Sequence, residues 1–111
     1  MTANSHRPKA TPQQIDAAAE VASRRLGVAM SSLLNAARER PVVRARFLAL
    51  AGLKAALPDH HFADMARQLR FHTTNPSGKL DQARLAAWWR EDWAAEVADA
   101  VKSAHGDRRA A

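Results

Sequence analysis

A chain of 111 residues, 47% of them hydrophobic, suffices for one small domain with its own core. Seventeen lysines and arginines against eleven aspartates and glutamates leave a net charge of +6 and a pI of 11.1, a balance that points to a polyanionic partner, above all nucleic acid. The lack of cysteine excludes disulfides and thiol chemistry. No apolar run approaches the roughly 20 residues of a bilayer span, and MTANSHRPKA lacks the apolar centre of a secretion signal, so the expected location is cytoplasmic.

Residues 1–10 are polar and read as a disordered tail, as do residues 105–111; a single helical domain is expected over 11–104. Thr11, Pro12 and Gln14 combine an N-cap, a first-turn proline and a capping-box glutamine, which starts a helix. Ile15, Ala19, Ala22 and Leu26 then share one face, and Gly27 supplies the stop. Residues 28–35 read as a short helical turn with Met30, Leu33 and Leu34 facing inward. A second long helix is expected from Pro41 to about Leu57, with Val43, Phe47, Leu50 and Ala51 as its apolar stripe. Pro58 and Asp59 break it. A third helix is expected near residues 60–69, with Phe62, Met65 and Leu69 as core, and RFHTTNPSGK at 70–79 reads as a turn. One last helix is predicted from Lys79–Leu80 to about Ser103, because Leu85, Trp89, Trp93, Val97 and Val101 recur every four residues. No strand pattern and no repeat occurs. The predicted class is all-α: a small helical bundle with a long C-terminal helix.

Charge is unevenly placed along this frame. Residues 38–80 hold eight lysines and arginines against three acids, whereas residues 81–111 hold five against six. Arg38, Arg40, Arg44 and Arg46 crowd a helix start, where the macrodipole disfavours cations. The free amides of that helix start suit an anion, and guanidinium groups add bidentate, charge-assisted phosphate contacts. Arg40 and Arg44 lie four apart and share a face; Arg38 comes from the preceding loop and Arg46 projects elsewhere. That arrangement suits a curved polyanion held from more than one side, such as a duplex backbone. The third helix, the turn and the helix after it have the outline of a helix-turn-helix. Thr73, Thr74 and Asn75 are natural N-caps there, and an imidazole and hydroxyls at the start of a recognition helix can reach base edges or phosphates.

The stretch LGVAMSSLLNAARERPVVRARFLALAGLKAALPDHHFADMARQLRFHTT resembles the C-terminal DNA-binding domain (domain IV) of the bacterial replication initiator DnaA, a helical domain with a Trp-repressor-like helix-turn-helix. The matching features are Leu33-Leu34, the loop Arg38-Glu39-Arg40, Arg44-Ala45-Arg46 and His72-Thr73-Thr74, in the family's order and at roughly its spacing. The similarity covers about residues 14–74 and continues more loosely to the C-terminus. It implies that Arg38 and Arg46 contact DNA and that His72 and Thr73 read bases in the major groove. The chain departs from the pattern in lacking the turn's glycine pair, in holding Arg70-Phe71 where the family has arginine-aspartate, in Phe47 where it has glutamine, and in the interruption Asn75-Pro76-Ser77-Gly78, which puts Ser77 in the place of a further DNA-contacting histidine. Phosphate-gripping residues are thus better kept than base-reading ones, which predicts DNA binding that is weaker or less selective than an initiator's. The candidate contact set is Arg38, Arg40, Arg44, Arg46, Arg70, His72, Thr73, Thr74, Ser77 and Lys79.

A Walker-type phosphate loop is absent and the chain leaves no space for an ATPase domain. The resemblance therefore implies a stand-alone accessory protein, of the HdaB type, that acts on double-stranded DNA and on DnaA or its regulators. No nucleophile–base pair stands out, and Glu91-Asp92 read as a solvated face, so the chain is not expected to be an enzyme or to take a small-molecule substrate or a cofactor. His60, His61 and Asp64 share a short helix without a clear third and fourth ligand, so no metal is expected. Trp89 and Trp93 belong to the last helix's apolar stripe. Trp88 shares a polar face with Asp81, Arg84, Asp92 and Asp99 and is a candidate anchor for a protein contact. Two alternatives follow: a protein-interaction module that has lost sequence-specific DNA binding and regulates the initiator or its inactivation through the last helix and Trp88, or an unrelated helix-turn-helix transcription regulator.

Overall fold

The first helix is defined by its two ends. Thr11 Oγ1 accepts from the Gln14 amide at 3.1 Å and Gln14 Oε1 accepts from the Thr11 amide at 2.8 Å, which closes a capping box at the head of α1 (Pro12–Leu26). Gly27 ends α1 in the left-handed region at φ 69°, its amide donating to the Ser23 carbonyl. The structure, a computed structural model, describes residues 7–72 and 74–110, with side chains as far as Ala104. Beyond α1 it contains α2 (Met30–Leu33), α3 (Arg40–Ala56), α4 (Phe62–Gln68), α5 (Pro76–Arg84) and α6 (Glu91–Ala110), and no strand among the described residues. The all-α class is as the sequence predicts.

Helices α1, α3 and α6 pack pairwise against one another and enclose the core; α2, α4 and α5 rest on the outside of α3. The centre of α3 is therefore covered from several sides. Leu48, Ala49, Leu50, Ala51, Gly52 and Leu53 are all buried, an unbroken run that a helix shows only when neighbours surround it. This differs from the single stripe of Val43, Phe47, Leu50 and Ala51 expected from periodicity: Val42 and Leu48 are buried as well, while Val43 and Phe47 are half-buried and turn toward α5. Close approach depends on small residues. Ala18, Ala19 and Ala22 of α1, Ala45 and Ala49 of α3 and Ala94 of α6 are buried. At Gly52 a Cβ would collide with the Val97 side chain and crowd the Ala98 amide, so α3 and α6 meet there at the distance only glycine permits.

The sequence predicts one helix from 79 to 103, and the structure has two. α5 ends at Arg84, residues 85–90 turn, and α6 begins at Glu91. Leu85, the first residue of the expected four-residue repeat, is 87% exposed. The repeat holds from Trp93, which is half-buried, through Val97 and Val101, which are buried. Neither glycine nor proline marks the break. The signal that does mark it is Glu91 and Asp92 in the first turn of α6, where carboxylates complement the positive end of the macrodipole. Arg90 forms a fork on Asp92 at 3.1 and 2.9 Å, and this pairing holds the Asp92 carboxyl below its ordinary pKa.

Both expected tail boundaries shift. Ala10 is buried in the core, the His61 amide donates to the Pro8 carbonyl at 2.9 Å and Gln68 Nε2 to the Ala10 carbonyl at 3.4 Å, so residues 8–10 are strapped onto α4. Residues 1–6 lie outside the described residues. At the other end the α6 backbone passes the expected boundary at 104 and runs to Ala110, while Ala111 lies outside the described residues.

The α3–α6 contact generates a prediction. Glycine-to-alanine in an exposed helix stabilises by up to about 1 kcal/mol. Gly52→Ala is instead expected to destabilise by about 1–2 kcal/mol through overpacking, lowering the melting temperature by roughly 5–15 °C. Thermal unfolding followed by far-UV circular dichroism checks this.

Candidate nucleic-acid interface

The head of α3 has no side-chain cap and no acid in its first turn; Glu39 precedes it without a capping hydrogen bond, and a proline occupies the second position. Its amides are thus open to an anion. Arg40 and Arg44, one turn apart, rise from this end. α5 faces it, opened by Asn75, whose Oδ1 accepts from the Gly78 amide at 3.1 Å. Between the two helices lies a groove of about 580 Å³. Arg38, Arg40, Arg44 and Lys79 line it with Gln82, Ala83 and Trp88, over a floor of Val43 and Phe47. Among the described residues no carboxylate lines this groove.

Ion pairing divides the arginines into two populations. Arg24, Arg25, Arg67, Arg84 and Arg90 each face a carboxylate within 4.0 Å, the closest being Arg25 and Glu96 at 2.7 Å. Among the described residues, Arg38, Arg40, Arg44 and Lys79 have no such partner. Arg44 instead lies over the Trp88 ring, with its guanidinium carbon 5.4 Å from the ring centroid.

Arg38 and Arg70 tie this rim to the turn after α4. Arg38 Nη2 donates to the Arg70 carbonyl at 3.0 Å, and Arg70 Nε donates to the Leu34 carbonyl at 3.2 Å. Arg70 adopts φ 70°, the left-handed conformation that a glycine takes without cost. The remaining candidates lie beyond an aromatic wall. Phe47 and Phe71 meet edge to face at 5.1 Å. Past them, His72 and Thr74 line a second hollow of about 430 Å³ with Ala63, Ala66, Arg67, Phe71 and Pro76. Ser77 lies in the first turn of α5 and lines neither hollow; Thr73 lies outside the described residues. The connection from α4 to α5 spans residues 69–75, longer than the three- or four-residue turn of a typical helix-turn-helix.

Arg46 corrects an expectation. Its residue surface is 1% exposed. Nε donates to the Leu33 carbonyl at 2.9 Å and Nη2 to the Ser32 and Asn35 carbonyls at 3.2 and 2.7 Å. It caps the C-terminal end of α2 and the turn that follows, with Nη1 buried and without a hydrogen-bond partner, so the side chain lies inside the protein and not on the surface where the sequence placed it. Arg46 shares its helix face with buried Val42, Ala49, Leu50 and Leu53, which places it inside once α2 packs on α3. Burial, and then the positive charges of Arg38 and Arg70, lower its pKa from the usual guanidinium value; it stays charged.

Trp88 is also placed differently from expectation. It lies in the connection before α6 rather than on that helix, half-buried, in contact with Arg44 and with the Trp89 ring at 5.3 Å. It therefore belongs to the cationic groove and not to a polar face of the last helix. Gln82, Val43 and Phe47 are further groove residues that sequence reasoning did not place at a binding surface; the position of Val43 and Phe47 at the arginine end of α3 was the available signal. No helix among the described residues is long and apolar enough to cross a membrane. His61, one of the residues weighed as a metal ligand, uses Nδ1 to accept the Asp64 amide at 3.2 Å. No protein-family model, no curated protein and no solved structure matches the chain.

Arg46→Ala strips three carbonyls of their donor inside the protein. The expected cost is about 3 kcal/mol or more, a large share of a small domain's stability. Denaturant unfolding checks this; a variant as stable as the parent would return Arg46 to the surface.

Proposed function

We propose that the groove between α3 and α5 grips the phosphate backbone of double-stranded DNA, and that the chain acts as an accessory protein in chromosomal replication initiation or its control. The observation that carries this reading is the convergence of Arg38, Arg40, Arg44 and Lys79, from a loop and two helices, on one groove that no carboxylate lines. Cations held apart from acids carry a standing electrostatic cost that only an anionic partner removes. Arg38 fixes the rim to the turn at Arg70, so the grip adjoins the His72–Thr74 corner, where base contacts are expected. The link to replication comes from the resemblance to the DnaA DNA-binding domain, with DnaA or its regulators as candidate protein partners.

The DNA contact inferred for Arg46 from that resemblance is withdrawn, because its guanidinium is committed to three carbonyls. Arg38, Arg40, Arg44 and Lys79 remain as the phosphate grip. Base readout rests on His72 and Thr74, which line the second hollow. The balance again favours affinity over sequence choice. The rival reading used Trp88 as a free anchor on the last helix; with Trp88 off that helix and under Arg44, no observation favours it.

Salt-dependent titration of a duplex carrying an initiator box, with a scrambled duplex alongside, tests the proposal. The parent is expected to bind both, the box duplex more tightly. Arg38→Ala with Arg44→Ala is expected to flatten the slope of log K against log salt by about 0.9 for each phosphate that the variant leaves unneutralised, on both duplexes, with circular dichroism checking that the variant keeps its fold. An unaltered slope, or no duplex binding by the parent, overturns the proposal.

A further inference from the structure

A duplex backbone alone gives the groove's indole nothing to do. Phosphates need cations and amides, and paired bases are stacked on each other, out of reach of a ring set among arginines. Yet Trp88 lines the same groove as Arg38, Arg40, Arg44 and Lys79, and Gln82 offers an amide beside it. Resting on the nucleic-acid reading of this groove, we infer that it takes an unpaired nucleotide: its phosphates on the arginines and Lys79, its base stacked on Trp88, with Gln82 at the base edge.

Three observations support this. The groove's volume of about 580 Å³ lies in the range of pockets that enclose a small organic unit, larger than a phosphate requires. The indole is held in place from one side by the Trp89 ring, edge to face at 5.3 Å, so it forms a fixed platform rather than a free side chain. Trp89 is itself fixed, its Nε1 donating to Glu91 Oε2 at 2.8 Å at the start of α6. Lastly, Arg44 covers Trp88 through a cation–π contact. A phosphate offers that guanidinium a charge-assisted, bidentate alternative, stronger than a cation–π contact near the surface. Phosphate binding thus draws Arg44 off the ring and uncovers the stacking face, so the two halves of a nucleotide are received together. Base–aromatic stacking is indifferent to base identity, because every base has a π face. The groove is therefore suited to the strand exposed where a duplex opens.

The test compares three labelled ligands by anisotropy with the full chain at one ionic strength: an oligothymidylate, an abasic strand of the same length, and a duplex of that length. The parent is expected to hold oligothymidylate about tenfold more tightly than the abasic strand. In Trp88→Ala that ratio falls to one, in Trp88→Phe most of it survives, and in Arg40→Ala both single strands weaken alike with the ratio kept. A ratio of one in the parent, or a ratio that survives in Trp88→Ala, overturns the inference. Since the ratio is first read in the parent, a poorly folded Trp88→Ala leaves the question decided by the parent and by Trp88→Phe. Duplex binding with a steep salt slope but no base dependence sinks this inference alone; failure to bind any of the three ligands sinks the proposed function with it.

Discussion

The guanidinium of Arg46 fastens the backbone where α2 ends, by hydrogen bonds to the carbonyls of Ser32, Leu33 and Asn35. A charged group enters a protein interior when hydrogen bonds replace its water, and here Nε and Nη2 find carbonyls at the end of a short helix and in its turn, Ser32 accepting the Asn35 amide as well at 3.4 Å, while Nη1 is buried without a partner. The bond set positions the loop that carries Arg38 to the head of α3. From that loop Leu34 receives Arg70, and Arg38 reaches the Arg70 carbonyl. One buried arginine and two exposed ones thus join α2, α3 and the turn after α4 into a single corner. The groove is an outgrowth of that corner.

Within the groove the electrostatics follow from where the acids are. Three acidic residues of the second half serve other arginines: Glu91 lies at 3.6 Å from Arg84, Asp92 at 2.9 Å from Arg90 and Glu96 at 2.7 Å from Arg25. α6 thus carries ion pairs, while Arg38, Arg40 and Arg44 at the head of α3 have none among the described residues. Arg44 rests on Trp88 in the meantime, which limits its conformational freedom without cancelling its charge.

Local chemistry was legible in the sequence, and long-range packing was not. The capping box at Thr11 and Gln14, the glycine stop at Gly27 and the short turn of helix around Leu33 are written in neighbouring residues and stand in the fold as expected. The all-α class follows from the same signals. Arg46 could not be placed from its neighbours, because an arginine reads as exposed until the carbonyls that receive it are known. The helix break at 85–90 was masked because Leu85, Trp89 and Trp93 fit a helical period, and the acids Glu91 and Asp92 were its only local mark. Arg38, Arg40 and Arg44 were legible as a cluster through their crowding at one helix start. That Lys79 and Trp88, far along the chain, close the same groove is a property of topology that no local pattern encodes.

The left-handed backbone at Arg70 has a further consequence. A non-glycine residue in that basin costs about 1 kcal/mol, and it is held there while Arg38 and Leu34 engage its carbonyl and its side chain. The same conformation lets the Phe71 amide donate to the Ala66 carbonyl at 3.0 Å and the Arg70 amide to the Arg67 carbonyl at 2.9 Å, so the end of α4 fixes the turn as well. The bend before α3 and the bend before α5 are thereby stitched to each other although they lie far apart along the chain.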